Sequence, residues 1–227
     1  MSVHIIGTSH IAQQSINEIK KAFSELKPEI VGVELDQERA KVLLSGIKTK
    51  VSLMDIAQIG VKGYLFAKIG QIVQQKLGQS IGVSPGTEMK TALELAKKEG
   101  VKIALIDQPI KVTLRNFSKE LTWKEKFRFV GDLISGLLFP KRTLKKSGLE
   151  NLDLNKVPEK KMIEIMIKQL KDRYPSIYKT LVGDRNRYMV RQIVKLLREN
   201  PQQKILVVVG AGHKEGMEEL LLKVDVL

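Results

Sequence analysis

Two short apolar segments at opposite ends of the chain are each followed by small residues and a histidine. Residues 3–7 run into Gly7-Thr8-Ser9-His10, and residues 204–209 run into Gly210-Ala211-Gly212-His213. Apolar runs of this length predict buried β-strands. Open α/β sheets build their sites at the carboxyl ends of strands, so the two histidines are expected to meet at one edge of a sheet.

Strand and helix patterns alternate between these two segments. Apolar residues recur at helical spacing over residues 15–26, and residues 30–35 and 101–106 form two further β-type runs. Asp36 is a natural N-cap for a helix that extends to about Leu44. A β-α-β order predicts parallel strands joined by right-handed crossovers. The predicted fold class is therefore α/β, with a mainly parallel central sheet formed by both chain ends and a largely helical insertion between them.

The length of 227 residues with 43% hydrophobic residues predicts one domain over residues 1–227. Mainly helical insertions or a cap are expected at about 45–84 and 118–200. Thr122 and Glu125 have capping-box spacing ahead of an apolar helix. That helix is predicted to pack on a helical stretch at 51–83, or alternatively to dock on a membrane surface. A long helix from about 176 to 200 is predicted to break near Gly183.

The charge of the chain indicates an anionic partner. Lys and Arg number 39 against 25 acidic residues, which gives a net charge of +14. Half of this excess lies between residues 111 and 149, so an anionic membrane surface is a candidate partner. Aromatic residues make up only 5%, and no run interleaves them with basic residues as single-strand binders do, which argues against nucleic acid. The absence of cysteine and of a signal segment predicts a cytoplasmic location.

Polar residues that could carry chemistry follow the predicted strands. At the strand ends stand His10, Glu34, Asp107 and His213, with Arg39, Glu88 and Arg115 just beyond. Two histidines and a glutamate, His10, His213 and Glu34, could hold a divalent metal with one position open for water. Alternatively, His10 takes a proton from water with the help of Glu34, while His213 or Arg39 stabilises the oxyanion. The sequence leaves both chemistries open.

Each of these residues also has a simpler interpretation. Glu34 could pair with Arg39 as an ordinary ion pair, and Asp107 before Gln108 and Pro109 is a good turn former. His4 lies inside the first predicted strand and is interpreted as a core or edge residue. The Gly210-Ala211-Gly212 segment is a weak match to a dinucleotide-binding loop, because no third glycine follows.

Six motifs in order along the chain resemble those of one protein family. They are residues 5–10, residues 31–36 with Arg39, Pro85-Gly86-Thr87-Glu88-Met89, Leu105-Ile106-Asp107, residues 184–189 and residues 208–213. This succession closely resembles the TraB family, which belongs to a wider group with pheromone-shutdown proteins, GumN-like proteins and Tiki metalloproteases. More remote members of the group are erythromycin esterases and ChaN-like haem-binding proteins, and the resemblance implies their type of fold.

The resemblance implies a site as well as a fold. His10, His213 and Glu34 match the family's active-site set, which implies hydrolysis, with metal-dependent peptide cleavage in the Tiki branch. Around the same pocket the resemblance implies Arg39, Glu88, Asp107, Arg185 and Asn186. The candidate divalent metals are Mn²⁺, Co²⁺ and Zn²⁺. The family usually has Asp-Arg where this chain has Asp107-Gln108, so no role of an arginine is carried over there. Many relatives continue into a hydrophobic membrane-spanning C-terminal region, whereas this sequence stops at Leu227. It is therefore expected to be either a piece of a longer, membrane-anchored protein or a naturally short member of the family.

Three functions are therefore expected in order. The first is a metalloprotease-like hydrolase that cleaves a peptide, amide or ester bond of a peptide or small-molecule substrate. The second is a protein that binds a metal, haem or a signalling ligand without turnover. The third is a membrane-surface or scaffold module, and a homo-oligomer is compatible with each.

Overall fold

A computed structural model of the protein describes residues 2–8, 13–46, 60, 64, 86–138 and 160–224. Its centre is a sheet of four parallel strands, in the spatial order β1-β4-β2-β3. The strands are β1 (Ser2–Thr8), β2 (Ile30–Val33), β3 (Lys102–Leu105) and β4 (Lys204–Gly210). The predicted α/β class, with a parallel sheet built from both chain ends, is confirmed. The exposed His4 lies on β1, an edge strand of this sheet, as the edge interpretation expected.

One face of the sheet is covered by two amphipathic helices. Helix α1 (Gln13–Leu26) packs with Ile19 and Phe23, and helix α3 (Thr87–Lys98) packs with Ala92 and Leu93. Both helices contribute to one apolar cluster with strand residues of this face. Helix α2 (Gln37–Ser45) lies between them in sequence. It starts at its predicted cap, since Asp36 accepts a hydrogen bond from Arg39 N. Local spacing therefore predicted α1 and the start of α2 correctly.

The opposite face is covered by the last two helices of the chain. Helix α8 (Asp184–Glu199) contributes Met189 and Ile193, and helix α9 (Ala211–Leu222) contributes Met217, to a second apolar cluster. Because α/β crossovers are almost always right-handed, a connection that runs back across the sheet puts its helix on the other face. The chain runs from β3 back to β4, which lies between β1 and β2, and its helices accordingly lie on the second face.

Four further helical elements connect β3 to α8. They are α4 (Ile110–Glu120), α5 (Trp123–Leu138), α6 (Lys160–Arg173) and α7 (Pro175–Tyr178). Between α7 and α8 lies a π-helical segment, Lys179–Gly183. The predicted break near Gly183 is thus a local change of helical pitch rather than an interruption. No helix in the described ranges is both long and apolar enough to cross a lipid bilayer.

Some sequence predictions lie outside the described residues. This applies to the helical stretch predicted at 51–83, and therefore to its predicted packing on α5. The proposed division into one domain with helical insertions stays a prediction. The sequence analysis placed His213 at the end of a strand. In the structure helix α9 begins at Ala211, so His213 lies in its first turn.

Candidate active site

The candidate site lies at the carboxyl edge of the sheet, around the end of β4. The helix that follows β4 lies on one face, whereas the helices of its two neighbouring strands lie on the other. Ligand sites of open α/β sheets form where connections diverge in this way. Thr8 pairs with Gly210 in register and donates its hydroxyl to Val209 O at 3.2 Å. His10, two residues beyond Thr8, lies outside the described residues.

Glu34 follows β2 and is buried against the start of the last helix. Its Oε2 accepts a hydrogen bond of 2.6 Å from Gly210 N, and its Oε1 accepts one from Arg185 Nη2. His213 Nε2 lies 3.3 Å from the same Oε1. Burial acts to raise the pKa of Glu34, but the charge and hydrogen bond of His213, with Arg185 and Gly210, outweigh it and hold this pKa well below its usual range. Glu34 is therefore an anion.

His213 is buried and held from both sides of its ring. Its Nδ1–H donates to Asn186 Oδ1 at 2.6 Å, because an amide oxygen can only accept. The other ring nitrogen faces Glu34 Oε1, which also only accepts. Both ring nitrogens therefore face groups that can only accept hydrogen bonds. The ring is thus a fixed hydrogen-bond donor beside a carboxylate.

The ion pairs continue from Glu34 across the sheet edge to β3. Arg185 donates from Nη2 to Asp107 Oδ2 at 2.5 Å and from Nε to Asp107 Oδ1 at 3.1 Å. Arg39 also donates to Asp107 Oδ2, and its Nε donates to Asp36 Oδ2 at 2.8 Å. Arg39 therefore pairs with Asp36 and Asp107, whereas Glu34 pairs with Arg185. Asp107 also accepts from Gln108 N at 2.7 Å, so the turn interpretation of this residue holds as well.

The charges of this cluster nearly balance. Three carboxylates, of Glu34, Asp36 and Asp107, surround the guanidinium groups of Arg39 and Arg185. Burial acts to lower the pKa of Arg185, but Glu34 and Asp107 outweigh burial and raise it above its usual range. Removing any one of these charged groups would leave its partner as an unpaired buried charge, which would destabilise the fold.

Two consecutive residues of α8, Arg185 and Asn186, contact different members of the cluster. Arg185 reaches Asp107 and Glu34, and its Nη1 also donates to Leu181 O at 3.2 Å within the π-helical segment. Asn186 is buried and points to His213 across the helix pair. A Cβ on Gly216 of α9 would lie 2.5 Å from Asn186 Nδ2, so only glycine leaves room for this amide. The π-helical segment is a feature that recurs at functional sites.

Two further residues predicted around the pocket lie on helices α3 and α4. Glu88 is buried in the first turn of α3, while Arg115 is exposed on α4. Within the described part of the chain, Arg115 makes no ion pair with Glu34, Asp36 or Asp107. Hydrogen bonds and ion pairs connect six of the predicted site residues to the cluster at the sheet edge: Glu34, Arg39, Asp107, Arg185, Asn186 and His213.

A cavity of about 650 Å³ adjoins the cluster on the β3 side. It is lined by Asp36 and Asp107 together with Ile110, Lys111 and Tyr188, among others. This volume lies in the range of small-molecule sites. On the other side, next to Asn186 and Gly212, the space is only about 40 Å³.

The described residues do not by themselves fit a metal ion. Glu34 Oε1 and His213 Nε2 could both reach one ion, but the Arg185 guanidinium already contacts that oxygen and adds like charge. No group of three or more potential ligands occurs among the residues the structure describes. Binding of a divalent metal would need His10 and stays a prediction.

Three contributors to the cluster are not identified by the sequence. The sequence marks Asp36 only as a helix cap, although its position three residues before Arg39 allows the ion pair. The N–H group of Gly210 and the missing side chain of Gly216 act through the backbone, and no local pattern identifies such roles.

Comparisons with known proteins show the family of this chain. The chain is 35% identical to an uncharacterized protein of Methanocaldococcus jannaschii over 98% of its length and 54% of that protein. It is 27% identical to the TraB domain-containing proteins of human and mouse, over 96% of this chain and 62% of theirs. The chain thus spans about half to three-fifths of the length of these relatives. The family model described as the TraB/PrgY/gumN family matches residues 1–224, and the chain belongs to this family.

Proposed function

We propose that the chain is a hydrolase that cleaves a peptide, amide or ester bond at the carboxyl edge of its sheet. The observation that carries this proposal is the buried His213, which Asn186 fixes on one side while Glu34 lies 3.3 Å away on the other. A rigid imidazole beside an ionised carboxylate is the arrangement that acid–base catalysis needs. The family resemblance points to the same residues.

In this proposal His213 stabilises the negative charge that develops on the attacked carbonyl oxygen. Its Nε2–H, which lies 3.3 Å from Glu34 Oε1, would share its hydrogen bond with the oxyanion, and a fixed donor in a buried setting is worth more than in water. Asn186 and Glu34 together fix the position of the ring. Arg39 and Arg185 are positioning residues in this proposal. Arg39 bridges Asp36 and Asp107, and Arg185 bridges Asp107 and Glu34.

His10 is the proposed base that takes a proton from water. Support for this role comes from the register of the sheet, because Thr8 pairs with Gly210, three residues before His213. The chain therefore leaves β1 next to the start of α9. His10 as the base and His213 as a hydrogen-bond donor to the oxyanion would share the two tasks of the reaction.

The test compares the three histidines of the chain. Purified wild-type protein is screened against a peptide library and aryl esters and amides, with chelator and with added Mn²⁺, Co²⁺ or Zn²⁺. On any substrate that is turned over, His213→Gln is expected to lower kcat/KM by about 10²–10³-fold, because one oxyanion donor is lost. A comparable loss is expected for His10→Ala.

The matched control is His4→Ala, since His4 is exposed on the edge strand β1 and should not affect the rate. Circular dichroism melting separates lost chemistry from lost folding. The hydrolase proposal is wrong if folded His10→Ala and His213→Gln variants both keep the wild-type rate, or if no substrate in the screen is turned over under any metal condition.

A second candidate function is ligand binding without turnover. It is favoured by the fact that every carboxylate oxygen of Glu34 and Asp107 already accepts a hydrogen bond from the protein. Such a closed cluster can serve as a rigid wall for the neighbouring cavity. A metal, haem or small anion that raises the melting temperature without product formation would support this candidate, because selective binding stabilises the folded state.

A further inference from the structure

Two large aromatic side chains lie exposed at the beginning of α5. Trp123 is 69% exposed and Phe127 is 72% exposed. They are one helical turn apart, and their ring centroids are separated by 6.2 Å. We call these two residues the aromatic patch. Exposed apolar groups that cluster in this way mark interaction surfaces more often than single exposed residues do.

The side chains next to the aromatic patch are basic. Lys124 is exposed between the two rings in sequence, and Lys126 Nζ lies 3.9 Å from the centroid of the Trp123 ring. Lysine side chains can lay their apolar stems along such a surface while the ammonium group stays in a polar layer. The aromatic patch therefore lies next to two lysine side chains, those of Lys124 and Lys126.

The acidic residues of this region are engaged by partners inside the protein. Glu125 is buried, accepts hydrogen bonds from Thr122 N and Ser176 N, and has a lowered pKa because these bonds outweigh burial. Asp132 accepts from Arg173 and Tyr174. Glu120 pairs with Lys179, whose Nζ lies 3.3 Å away. These three acidic side chains are therefore taken up by contacts inside the protein.

We propose that the aromatic patch docks on the surface of an anionic lipid bilayer. Trp123 and Phe127 would enter the boundary between headgroups and acyl chains, where amphipathic aromatic rings are favoured. Lys124 and Lys126 would pair with acidic headgroups. Charge complementarity supports this occupant, because the whole chain carries +14 and would be attracted to such a surface before the rings insert.

Trp123 provides a direct probe, because it is the only tryptophan of the chain. The whole chain is titrated with vesicles of phosphatidylcholine alone and with vesicles that contain about one-third phosphatidylglycerol, at about 0.1 M salt. The anionic vesicles are expected to shift Trp123 emission to the blue and to sediment the protein. Neutral vesicles are expected to do neither, and high salt should weaken the effect.

Variants test the two parts of the surface separately. Phe127→Ala and the double variant Lys124→Ala/Lys126→Ala keep the Trp123 probe, and each is expected to weaken vesicle binding at least about tenfold. Leu222→Ala and Lys195→Ala are matched controls, because Leu222 is an 88% exposed apolar residue and Lys195 an exposed lysine on other helices. Both controls are expected to bind like wild type.

Three results would overturn the proposal. One is equal binding to neutral and anionic vesicles. Another is a loss of binding in Leu222→Ala as large as in Phe127→Ala. The third is a blue shift that depends on protein concentration without lipid, together with dimers in light scattering, because a second copy of the chain would then cover the aromatic patch.

Discussion

At the scale of single residues, the site depends on groups that are satisfied only together. Asn186 fixes His213, and Glu34 is held ionised by His213, Arg185 and the N–H of Gly210. Removing one member leaves a buried charge or donor without its partner, which costs more than the bond itself contributes. Substitutions inside this cluster are therefore expected to affect stability as well as activity.

Gly216→Ala tests how tightly Asn186 is held. The new Cβ would lie 2.5 Å from Asn186 Nδ2, so the amide must move away from His213. We expect the free energy of unfolding to fall by about 1–2 kcal/mol, because overpacking outweighs the helix preference of alanine. Urea denaturation measures this change.

Gly131→Ala is the control for Gly216→Ala. Gly131 lies in helix α5, and a Cβ added there would enter open space, so alanine should raise stability by about 0.5–1 kcal/mol. In an Asn186→Ala background, Gly216→Ala should cost less than it does in the wild type, since the clash with the amide is gone. Equal effects of the two glycine substitutions would contradict the packing argument.

At the scale of helices, Glu125 joins two elements that are distant in sequence. It completes the predicted capping box with Thr122, whose Oγ1 accepts from Glu125 N at 3.3 Å. It also accepts a hydrogen bond of 2.8 Å from Ser176 N at the start of α7. One buried carboxylate therefore holds the first turn of α5 against α7, which leads through the π-helical segment to Arg185.

Glu125→Ala is expected to lower the free energy of unfolding by about 2 kcal/mol. The reason is that a helix cap is lost and the Ser176 N–H loses its acceptor. The control is Glu218→Ala on α9, where an exposed pair with Lys214 at 3.9 Å should contribute less than about 0.5 kcal/mol. Chemical denaturation measures the free energy of unfolding of both variants. If Glu125→Ala loses no more than Glu218→Ala, Glu125 does not join the helices.

At the scale of the whole molecule, the sheet edge makes stability depend on pH. The pKa values of Glu34 and Asp36 are lowered in the folded protein, in both cases because hydrogen bonds and cations outweigh burial. A lowered carboxyl pKa stabilises the fold above the pKa of the unfolded chain, which is about 4, and this contribution is lost as the pH falls through the folded pKa.

We therefore expect the free energy of unfolding to decline as the pH falls from about 5 to 3. Urea denaturation at several pH values measures the slope. Glu34→Gln should be less stable at neutral pH but show a shallower decline, because one of the shifted carboxyl groups is gone. An unchanged slope in this variant would mean that other groups cause the acid sensitivity.

The sequence by itself determined the elements that depend on near neighbours. Helical and strand spacing predicted β1, α1, β2 and β4, and side chains three residues apart predicted the Asp36 cap and the Thr122–Glu125 capping box. These predictions succeed because the interacting groups lie within one turn of chain. The resemblance to a known family added Arg185 and Asn186, which have no local signal.

Only the tertiary structure decided which charges meet. Insertion of β4 between β1 and β2 brings Gly210 N to Glu34 and sets His213 beside it. Likewise, Asp107 receives Arg39 and Arg185, which are 68 and 78 residues away along the chain. Such pairs follow from the order of strands and from the face on which each crossover helix packs, and these are properties of the whole sheet rather than of any short segment.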